Sequence, residues 1–171
     1  YWQMDPNKLS DFINLQCIWD GNILVNRETN RKVSAIMPVH ILGHPCDMDP
    51  ILELARQYRI PVIEDATESF GAKYKGGMVG SLGDVACLSF NGNKLITTGG
   101  GGMIVTNDSS IAEKCRYLTT QSKDDRIEFI HNSIGFNYRL SNVHAALGCA
   151  QMEKIEEYIM IKKRIAKTNV D

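Results

Sequence analysis

Three side chains with complementary chemistry lie at the ends of apolar runs or beside a glycine run in this chain. Asp65 follows the apolar run at residues 60–63, and Ser89 follows the apolar run at residues 85–88. Lys94 comes five residues after Ser89 and before the glycines at 99–102. Such apolar runs are typical of buried strands. Because ligands bind beyond the carboxyl ends of parallel strands, the pattern predicts a ligand site that includes these side chains.

An amine, a carboxylate and a hydroxyl are the groups that pyridoxal phosphate requires from a protein. A lysine forms the Schiff base, an acid keeps the pyridine nitrogen protonated, and hydroxyl or amide donors bind the phosphate. We therefore predict Lys94 as the Schiff-base lysine, Asp65 as the partner of the ring nitrogen and Ser89 as a phosphate ligand. The alternatives are a solvated lysine, a turn-capping carboxylate and a strand-end hydroxyl.

At these residues the chain resembles the DegT/DnrJ/EryC1/StrS family of sugar aminotransferases. The family pattern is Glu-Asp-Ala, then Gly-Ser-x-Gly-Asp, then Ser-Phe-x-x-x-Lys, then a glycine-rich segment. Here these segments stand at residues 64–66, 80–84, 89–94 and 99–102. The resemblance implies an α/β fold of the aspartate-aminotransferase type, called fold type I. The chain would supply part of the large domain, with a mostly parallel sheet flanked by helices.

The resemblance also implies a reaction. An amino donor, L-glutamate, would convert pyridoxal phosphate to its amine form, which would then aminate a keto sugar carried on a nucleotide. Residues 67–69, 91–94 and 131–139 are most similar to the branch that aminates 4-keto-6-deoxy sugars for legionaminic-acid-like products, which implies a role in bacterial surface-glycan biosynthesis. Two alternatives are a sugar dehydratase of the same fold, in which a histidine replaces Lys94, and a regulatory relative without turnover. The set of Asp65, Ser89 and Lys94 argues against both.

Three further residues are implied by the resemblance to contact the cofactor. Glu68 lies three residues after Asp65, where many family members carry glutamine or histidine near the cofactor's ring hydroxyl. Asn137 and Arg139 lie in a segment that in this family reaches into the neighbouring subunit's site, and a bidentate guanidinium suits a phosphate. The alternatives are a surface glutamate and a structural salt bridge. The resemblance thus implies a homodimer with shared sites.

Composition and charge argue against several other classes of protein. The 171 residues are 43% hydrophobic and 23% charged, which is enough for a buried core. The net charge of −1, with acids and bases interspersed, predicts small-molecule partners rather than nucleic acid or a membrane surface. Five cysteines without a C-x-x-C pair indicate reduced thiols in a cytoplasmic protein, and the histidines lack metal-ligand spacing.

The elements that would position the site alternate between strands and helices. Val33 to Met37 is predicted as a strand, followed by a helix with Asp49 as its N-cap and then by a strand at residues 60–65. Together these make a strand-helix-strand unit with a right-handed crossover. We also predict a strand at residues 103–106 and a helix opened by a capping box of Ser110 and Glu113.

The last third of the chain is predicted as one long loop followed by one long helix. The loop covers residues 119–137, which are polar and aperiodic, and the helix runs from Ser141 toward Lys167. We expect residues 1–150 to be part of the cofactor-binding large domain and residues 151–171 to be a helix that connects to a small domain. The abrupt start and the resemblance both suggest a piece of a longer enzyme.

Overall fold

The computed structural model of this chain describes residues 2–125 and 127–168. Two compact units are present, the first ending at Leu88 and the second beginning at Ser89. The predicted α/β class is confirmed, but the strands are only two to five residues long, so the sheets are small and separate. In the described part of the chain, no helix is long and apolar enough to cross a membrane.

The first unit combines two helices with short strands. Its elements are α1 (Pro6–Gln16), β1 (Cys17–Trp19), β2 (Leu24–Asn26), α2 (Met48–Gln57), β3 (Ile63–Asp65), β4 (Lys73–Tyr74), β5 (Gly77–Met78) and β6 (Val85–Ser89), whose last residue opens the second unit. Strands β1 and β2 form an antiparallel pair, as do β4 and β5. Strands β3 and β6 pair in parallel, with Asp65 opposite Cys87. The strands that end at Asp65 and Ser89 are therefore parallel, as predicted, but β3 begins at Ile63 and is shorter than the strand expected at residues 60–65.

The core of the first unit lies against helix α2. This helix buries Met48, Ile51 and Ala55, which recur at helical spacing on one face. The buried cluster consists of Ile13, Cys17, Leu24, Ile36, Cys46, Met48, Ile51, Ala55, Ile60 and Val62. Most of its members come from segments far apart in sequence, so the core joins α1, α2 and the strand that leads to Asp65.

The N-cap predicted for α2 is wrong by two residues. The cap is Asp47, whereas Asp49 lies in the first turn. The hydroxyl of Tyr74 explains the shift, because it accepts the backbone N–H of Asp49 at 3.2 Å and donates to the carboxylate of Asp47 at 2.6 Å. A side chain from β4 therefore satisfies a free N–H of the first turn, which normally requires the cap residue itself.

The strand predicted at Val33 to Met37 is reduced to isolated bridges, which join Ile36 to Val62 and Val39 to Asp65 in parallel. The N–H of Ile36 donates to the carbonyl of residue 61, and the N–H of Asp65 donates to the carbonyl of Pro38. A continuous ladder would next require an N–H at residue 38, which proline lacks. The ladder is interrupted at Pro38 but keeps its register on both sides.

The second unit carries the remaining helices. Its further elements are β7 (Gly102–Val105), α3 (Ser109–Thr119), α4 (Asn142–Met152) and α5 (Ile155–Thr168). Helix α3 is capped by Asp108 rather than by the predicted capping box, because the Asp108 carboxylate accepts the N–H groups of Ser110 and Ile111. The hydrogen bond from the Ser110 hydroxyl, together with those from the two N–H groups, holds the pKa of Asp108 below its usual value. The predicted start of α4 at the Ser141 cap is confirmed.

The single long helix predicted from Ser141 is wrong, because α4 ends at Met152 and α5 begins at Ile155. Between them the N–H of Lys154 donates to the carbonyl of Gln151, three residues back, instead of continuing the α-helical spacing. The side chain of Gln151 binds the backbone of a distant loop, which anchors the end of α4. The division at residue 150 into domain and connector stays a prediction.

Candidate active site

Asp65 ends β3 in the first unit and is half-buried. Its N–H donates to the carbonyl of Pro38 at 2.9 Å, and its carbonyl accepts the N–H of His40 at 3.1 Å. The carboxylate Oδ1 accepts the N–H of Thr67 at 3.2 Å and the Thr67 hydroxyl at 2.7 Å. Both donors bind the same oxygen. The turn-capping alternative is therefore present, and it leaves Oδ2 available to accept a proton-bearing nitrogen.

Glu64, the residue before Asp65, is fully buried. Its Oε1 accepts the N–H groups of Leu82 and Gly83, both at 2.7 Å, and its Oε2 accepts the N–H of Gly80 at 2.8 Å. The ring of His40, also fully buried, lies 3.1 Å from Oε2 through its Nε2. One carboxylate thus joins β3 to the loop at residues 80–83.

Hydrogen bonds keep the buried carboxyl group of Glu64 ionised. Burial raises the pKa of this carboxyl, but the bonds from His40 and from three backbone N–H groups outweigh it and hold the pKa below its ordinary value. The carboxylate is therefore charged and buried at neutral pH. No role was predicted for Glu64 from the sequence, although the paired motifs at residues 64–66 and 80–84 were a signal from which this contact could have been inferred.

Glu68 is exposed, and its carboxylate contacts a turn of the first unit. Its Oε2 accepts the N–H of Leu42 at 2.8 Å, within the short 3-10 helix Ile41–Gly43. A Cβ at Gly43 would lie 3.1 Å from the carbonyl oxygen of Glu68, so the turn packs closely on this residue. The contact with a cofactor stays a prediction for Glu68.

Lys94 lies half-buried in a closed loop of the second unit. The carbonyl of Phe90 accepts the N–H of Thr98 and the hydroxyl of Thr97, both at 3.0 Å, which closes the loop at residues 91–97. Within the loop, the N–H of Lys94 donates to the carbonyl of Asn91 at 3.1 Å. Lys94 therefore lies in a closed loop between β6 and the glycine run.

Ser89 and the glycine run flank this loop. The Ser89 hydroxyl accepts the N–H of Asn91 at 3.3 Å, so it stabilises the turn that leads to Lys94. Gly101 has a φ of +90°, and a Cβ there would lie 2.7 Å from the Cδ1 of Leu140. Both the left-handed backbone and the close approach require glycine at this position.

Gln151 anchors the same loop from helix α4. Its Oε1 accepts the N–H of Thr97 at 2.9 Å, and its Nε2 donates to the carbonyl of Thr97 at 2.8 Å. Its amide thus pairs with both backbone groups of one residue, 54 positions away in sequence. Gln151 was not predicted from the sequence, since no local pattern marks such a contact.

Asn137 and Arg139 lie in an extended segment held against the end of α3. The N–H of Phe136 donates to the carbonyl of residue 118 at 2.7 Å, and the N–H of Tyr138 donates to that of residue 119 at 3.0 Å. The rings of Phe136 and Tyr138 stack with centroids 5.1 Å apart. Because side chains alternate in extended backbone, Asn137 and Arg139 share the opposite side. Both side chains are exposed, as the predicted contact with a second subunit requires.

Gly135 lets this segment approach α3 closely. A Cβ at this position would lie 2.3 Å from the carbonyl carbon of Gln121 and 2.4 Å from the nitrogen of Ser122. Ser122 is fully buried, and its hydroxyl donates to the carbonyl of Ile134 at 3.1 Å. The predicted long loop is irregular as expected, but its two ends are held together.

The described groups have the chemistry that pyridoxal phosphate needs. The first unit offers the Asp65 carboxylate with Oδ2 available, and the second offers the Lys94 amine, the Ser89 hydroxyl and the guanidinium of Arg139. In type, the groups that each unit carries by itself therefore fit the needs of the cofactor. The individual roles assigned to Asp65, Glu68, Ser89, Lys94, Asn137 and Arg139 stay predictions.

Comparison with known proteins identifies close relatives in bacteria. The chain is 52% identical over 134 residues to GDP-perosamine synthase of Caulobacter vibrioides, which covers 78% of this chain and 36% of that protein. It is 46% identical over 142 residues to GDP-perosamine synthase of Escherichia coli, covering 83% of this chain and 39% of that protein. The chain thus spans less than two fifths of the length of these relatives.

A solved structure and a family pattern agree with these relatives. A DegT DnrJ EryC1 StrS aminotransferase from Brucella abortus matches with a TM-score of 0.83 and 27% identity, over 98% of this chain and 42% of that one. The sequence pattern of the DegT/DnrJ/EryC1/StrS aminotransferase family matches residues 18–169. The fold is therefore that of the fold type I enzymes, of which the chain holds a part. The chain belongs to the DegT/DnrJ/EryC1/StrS aminotransferase family, a family of pyridoxal-phosphate-dependent sugar aminotransferases.

Proposed function

We propose that the protein containing this chain transfers an amino group from an amino acid to a keto sugar carried on a nucleoside diphosphate. The observation that carries the proposal is the closed loop that holds Lys94 between Ser89 and the glycine run. A loop closed by backbone bonds positions the amine, and a hydroxyl and backbone N–H groups lie in the same short segment. Family membership supports this interpretation.

Each side chain then has a separate task. Lys94 would hold the cofactor through its amine, and the same amine would remove and return the proton at the donor's α-carbon. Pyridoxal phosphate, when bound, supplies an electron sink for the bond that breaks at that carbon. The Asp65 carboxylate would pair with the ring nitrogen and keep it charged. Ser89, and Arg139 of a second subunit, bind the phosphate.

We propose a GDP-linked 4-keto-6-deoxy sugar as the acceptor and L-glutamate as the donor. Both relatives reported above are named for GDP-perosamine, an amino sugar on a guanine nucleotide, which favours this substrate over the legionaminic-acid type. The product would be a precursor for bacterial surface glycans. A nucleotide-linked substrate agrees with the predicted cytoplasmic location.

The direct test offers the intact protein a panel of GDP-, UDP- and dTDP-linked 4-keto-6-deoxy sugars with L-glutamate. Mass spectrometry of the sugar should detect exchange of one oxygen for one nitrogen and three hydrogens, with the GDP-linked sugar as the best substrate. A Lys94→Ala variant, tested in parallel, should give no product. Loss of water from the sugar without gain of nitrogen would contradict the proposal and indicate a dehydratase.

A further inference from the structure

We propose that Glu64, acting through His40, is a positioning residue for Asp65. The proposal rests on the proposed function, because it concerns the carboxylate assigned to the cofactor's ring nitrogen. Glu64 itself is fully buried and points to the opposite side of β3 from Asp65, since neighbouring side chains alternate along a strand. It therefore acts on Asp65 by fixing the strand end rather than by contact with a ligand.

His40 binds both residues. Its backbone N–H donates to the carbonyl of Asp65 at 3.1 Å, and its ring Nε2 lies 3.1 Å from the Oε2 of Glu64. The N–H of Asp65 is held from the same side by the carbonyl of Pro38 at 2.9 Å. The segment at residues 38–40 thus binds both the N–H and the carbonyl of Asp65, and Glu64 holds that segment through the His40 ring.

The hydrogen bonds fix the proton on the His40 ring. Its Nδ1 accepts the backbone N–H of Cys46 at 3.1 Å, so Nδ1 carries no proton of its own. The ring is therefore neutral and donates from Nε2 to Glu64. A neutral donor facing a buried carboxylate makes one directed bond, which defines the orientation of the ring and hence the position of its backbone.

A carboxylate is required at residue 64, and an amide of the same shape does not suit the site. All four partners of Glu64 are donors: the N–H groups of Gly80, Leu82 and Gly83 and the Nε2–H of His40. In a Glu64→Gln variant, the amide NH₂ would face two donors on one side. His40 cannot resolve this conflict by moving its proton to Nδ1 without losing the bond from Cys46. The variant should therefore lose the bond to the His40 ring when its NH₂ takes the place of Oε2, or lose the bonds to Leu82 and Gly83 when it takes the place of Oε1. Both arrangements loosen the strand end at Asp65.

The test compares Glu64→Gln with Ile51→Ala in the intact protein. Ile51 is fully buried in the core of the first unit. Its truncation to alanine therefore destabilises this unit but removes none of the hydrogen bonds of Asp65. Two quantities are measured: the dissociation constant of pyridoxal phosphate, and the ¹⁵N resonance of cofactor labelled at the ring nitrogen. We expect Glu64→Gln to raise the dissociation constant about tenfold and to move the resonance toward that of an unprotonated ring. Ile51→Ala should leave both near wild type.

A third measurement separates this proposal from the proposed function. Hydrogen exchange at the Asp65 amide, measured without cofactor, should become faster in Glu64→Gln than in Ile51→Ala. Wild-type protein that binds no pyridoxal phosphate would contradict the proposed function, while the exchange rate would still report on Glu64. Equal exchange rates and an unchanged ring-nitrogen resonance would overturn the positioning role. If Glu64→Gln does not fold, Glu64→Asp, which keeps the charge but shortens the reach, undergoes the same three measurements.

Discussion

Thr67 orients the Asp65 carboxylate through Oδ1 alone. One oxygen therefore caps the turn, and the other is assigned to the ring nitrogen of the cofactor. Asp65→Asn keeps the size of the side chain but cannot hold a positive ring nitrogen. We expect the variant to bind pyridoxal phosphate and to lose about two orders of magnitude or more in turnover, because a charge-assisted bond of roughly 1.5–3 kcal/mol is lost together with the electron sink. Steady-state kinetics with L-glutamate measure this change.

A matched variant, Thr67→Val, removes only the hydroxyl that donates to Oδ1 and leaves the backbone donor in place. Its effect on turnover should be much smaller than that of Asp65→Asn. Near-normal turnover in Asp65→Asn would rule out the assignment of this residue to the ring nitrogen.

Because the pKa of Glu64 is lowered in the folded protein, we expect the stability of the protein to depend on pH. Its pKa in the folded protein lies below its ordinary value of 4.5, so the unfolded chain binds its proton first as the pH falls. The stabilisation is therefore complete above that ordinary value and is lost as the pH falls through the lower folded pKa. Glu64→Gln cannot titrate at this position.

The difference in unfolding free energy between wild type and Glu64→Gln should therefore shrink below about pH 4.5, by at most about 1.4 kcal/mol per pH unit. Urea denaturation of the two proteins between about pH 6 and pH 3 measures this difference. A gap that stays constant over that range would mean that Glu64 does not titrate differently in the folded and unfolded states.

At the scale of elements, periodicity predicted which segments form strands and helices better than where they begin or break. The apolar runs before Asp65 and Ser89 lead into or form the paired strands β3 and β6, because a buried strand has a local signal in the sequence. The cap of α2 is set by Tyr74, and the strand expected near residue 36 is interrupted by Pro38. These details depend on contacts between segments distant in sequence, which local patterns do not contain.

The residues of the candidate site were likewise predicted only in part. Lys94 and Asp65 were predicted from residue type and spacing, because their chemistry is specific. The residues that hold them in place, Glu64 with His40 and Gln151 with Thr97, were missed. Helix α1 was missed as well, although Asp5 followed by Pro6 is the usual start signal of a helix.

We predict that Gln151 keeps the loop that carries Lys94 closed. Gln151→Leu removes both hydrogen bonds to Thr97, whereas Gln151→Glu keeps an acceptor for the Thr97 N–H and loses the donor to its carbonyl. Each bond is worth about 0.5–1.5 kcal/mol, so loop opening should become easier in Gln151→Leu than in Gln151→Glu. Hydrogen exchange of the Thr97 amide measures this order. Identical exchange in both variants and in wild type would show that Gln151 does not hold the loop.

At the scale of the whole molecule, the second unit exposes many large apolar side chains. Its exposed members among the described residues include Ile127, Phe129, Ile134, Phe136, Tyr138, Val143, Leu147, Met160 and Ile165. Exposed apolar patches of this kind mark interaction surfaces. We propose a symmetric homodimer in which residues 136–139 of one subunit reach the cofactor of the other, since a two-fold axis places the same patch on both chains.

A complementation experiment tests this arrangement. Lys94→Ala lacks the amine, and Asn137→Ala combined with Arg139→Ala lacks the exposed polar side chains of the extended segment. If sites are shared, hybrid dimers contain one intact site, and random mixing should restore about a quarter of the wild-type activity. The two variants alone serve as controls. No activity in verified hybrid dimers, or full activity in a monomer by sedimentation, would show that the segment serves its own chain.

The proposed function is tested most directly by identifying the lysine that binds the cofactor. The intact protein is loaded with pyridoxal phosphate and treated with borohydride, which reduces the carbon–nitrogen double bond to a stable single bond, and its peptides are sequenced by mass spectrometry. We predict a phosphopyridoxyl group on Lys94 and none in a folded Lys94→Ala variant. A modified lysine elsewhere in the protein, or an unmodified Lys94 in a protein that turns over its substrate, would contradict the assignment of the closed loop as the catalytic centre.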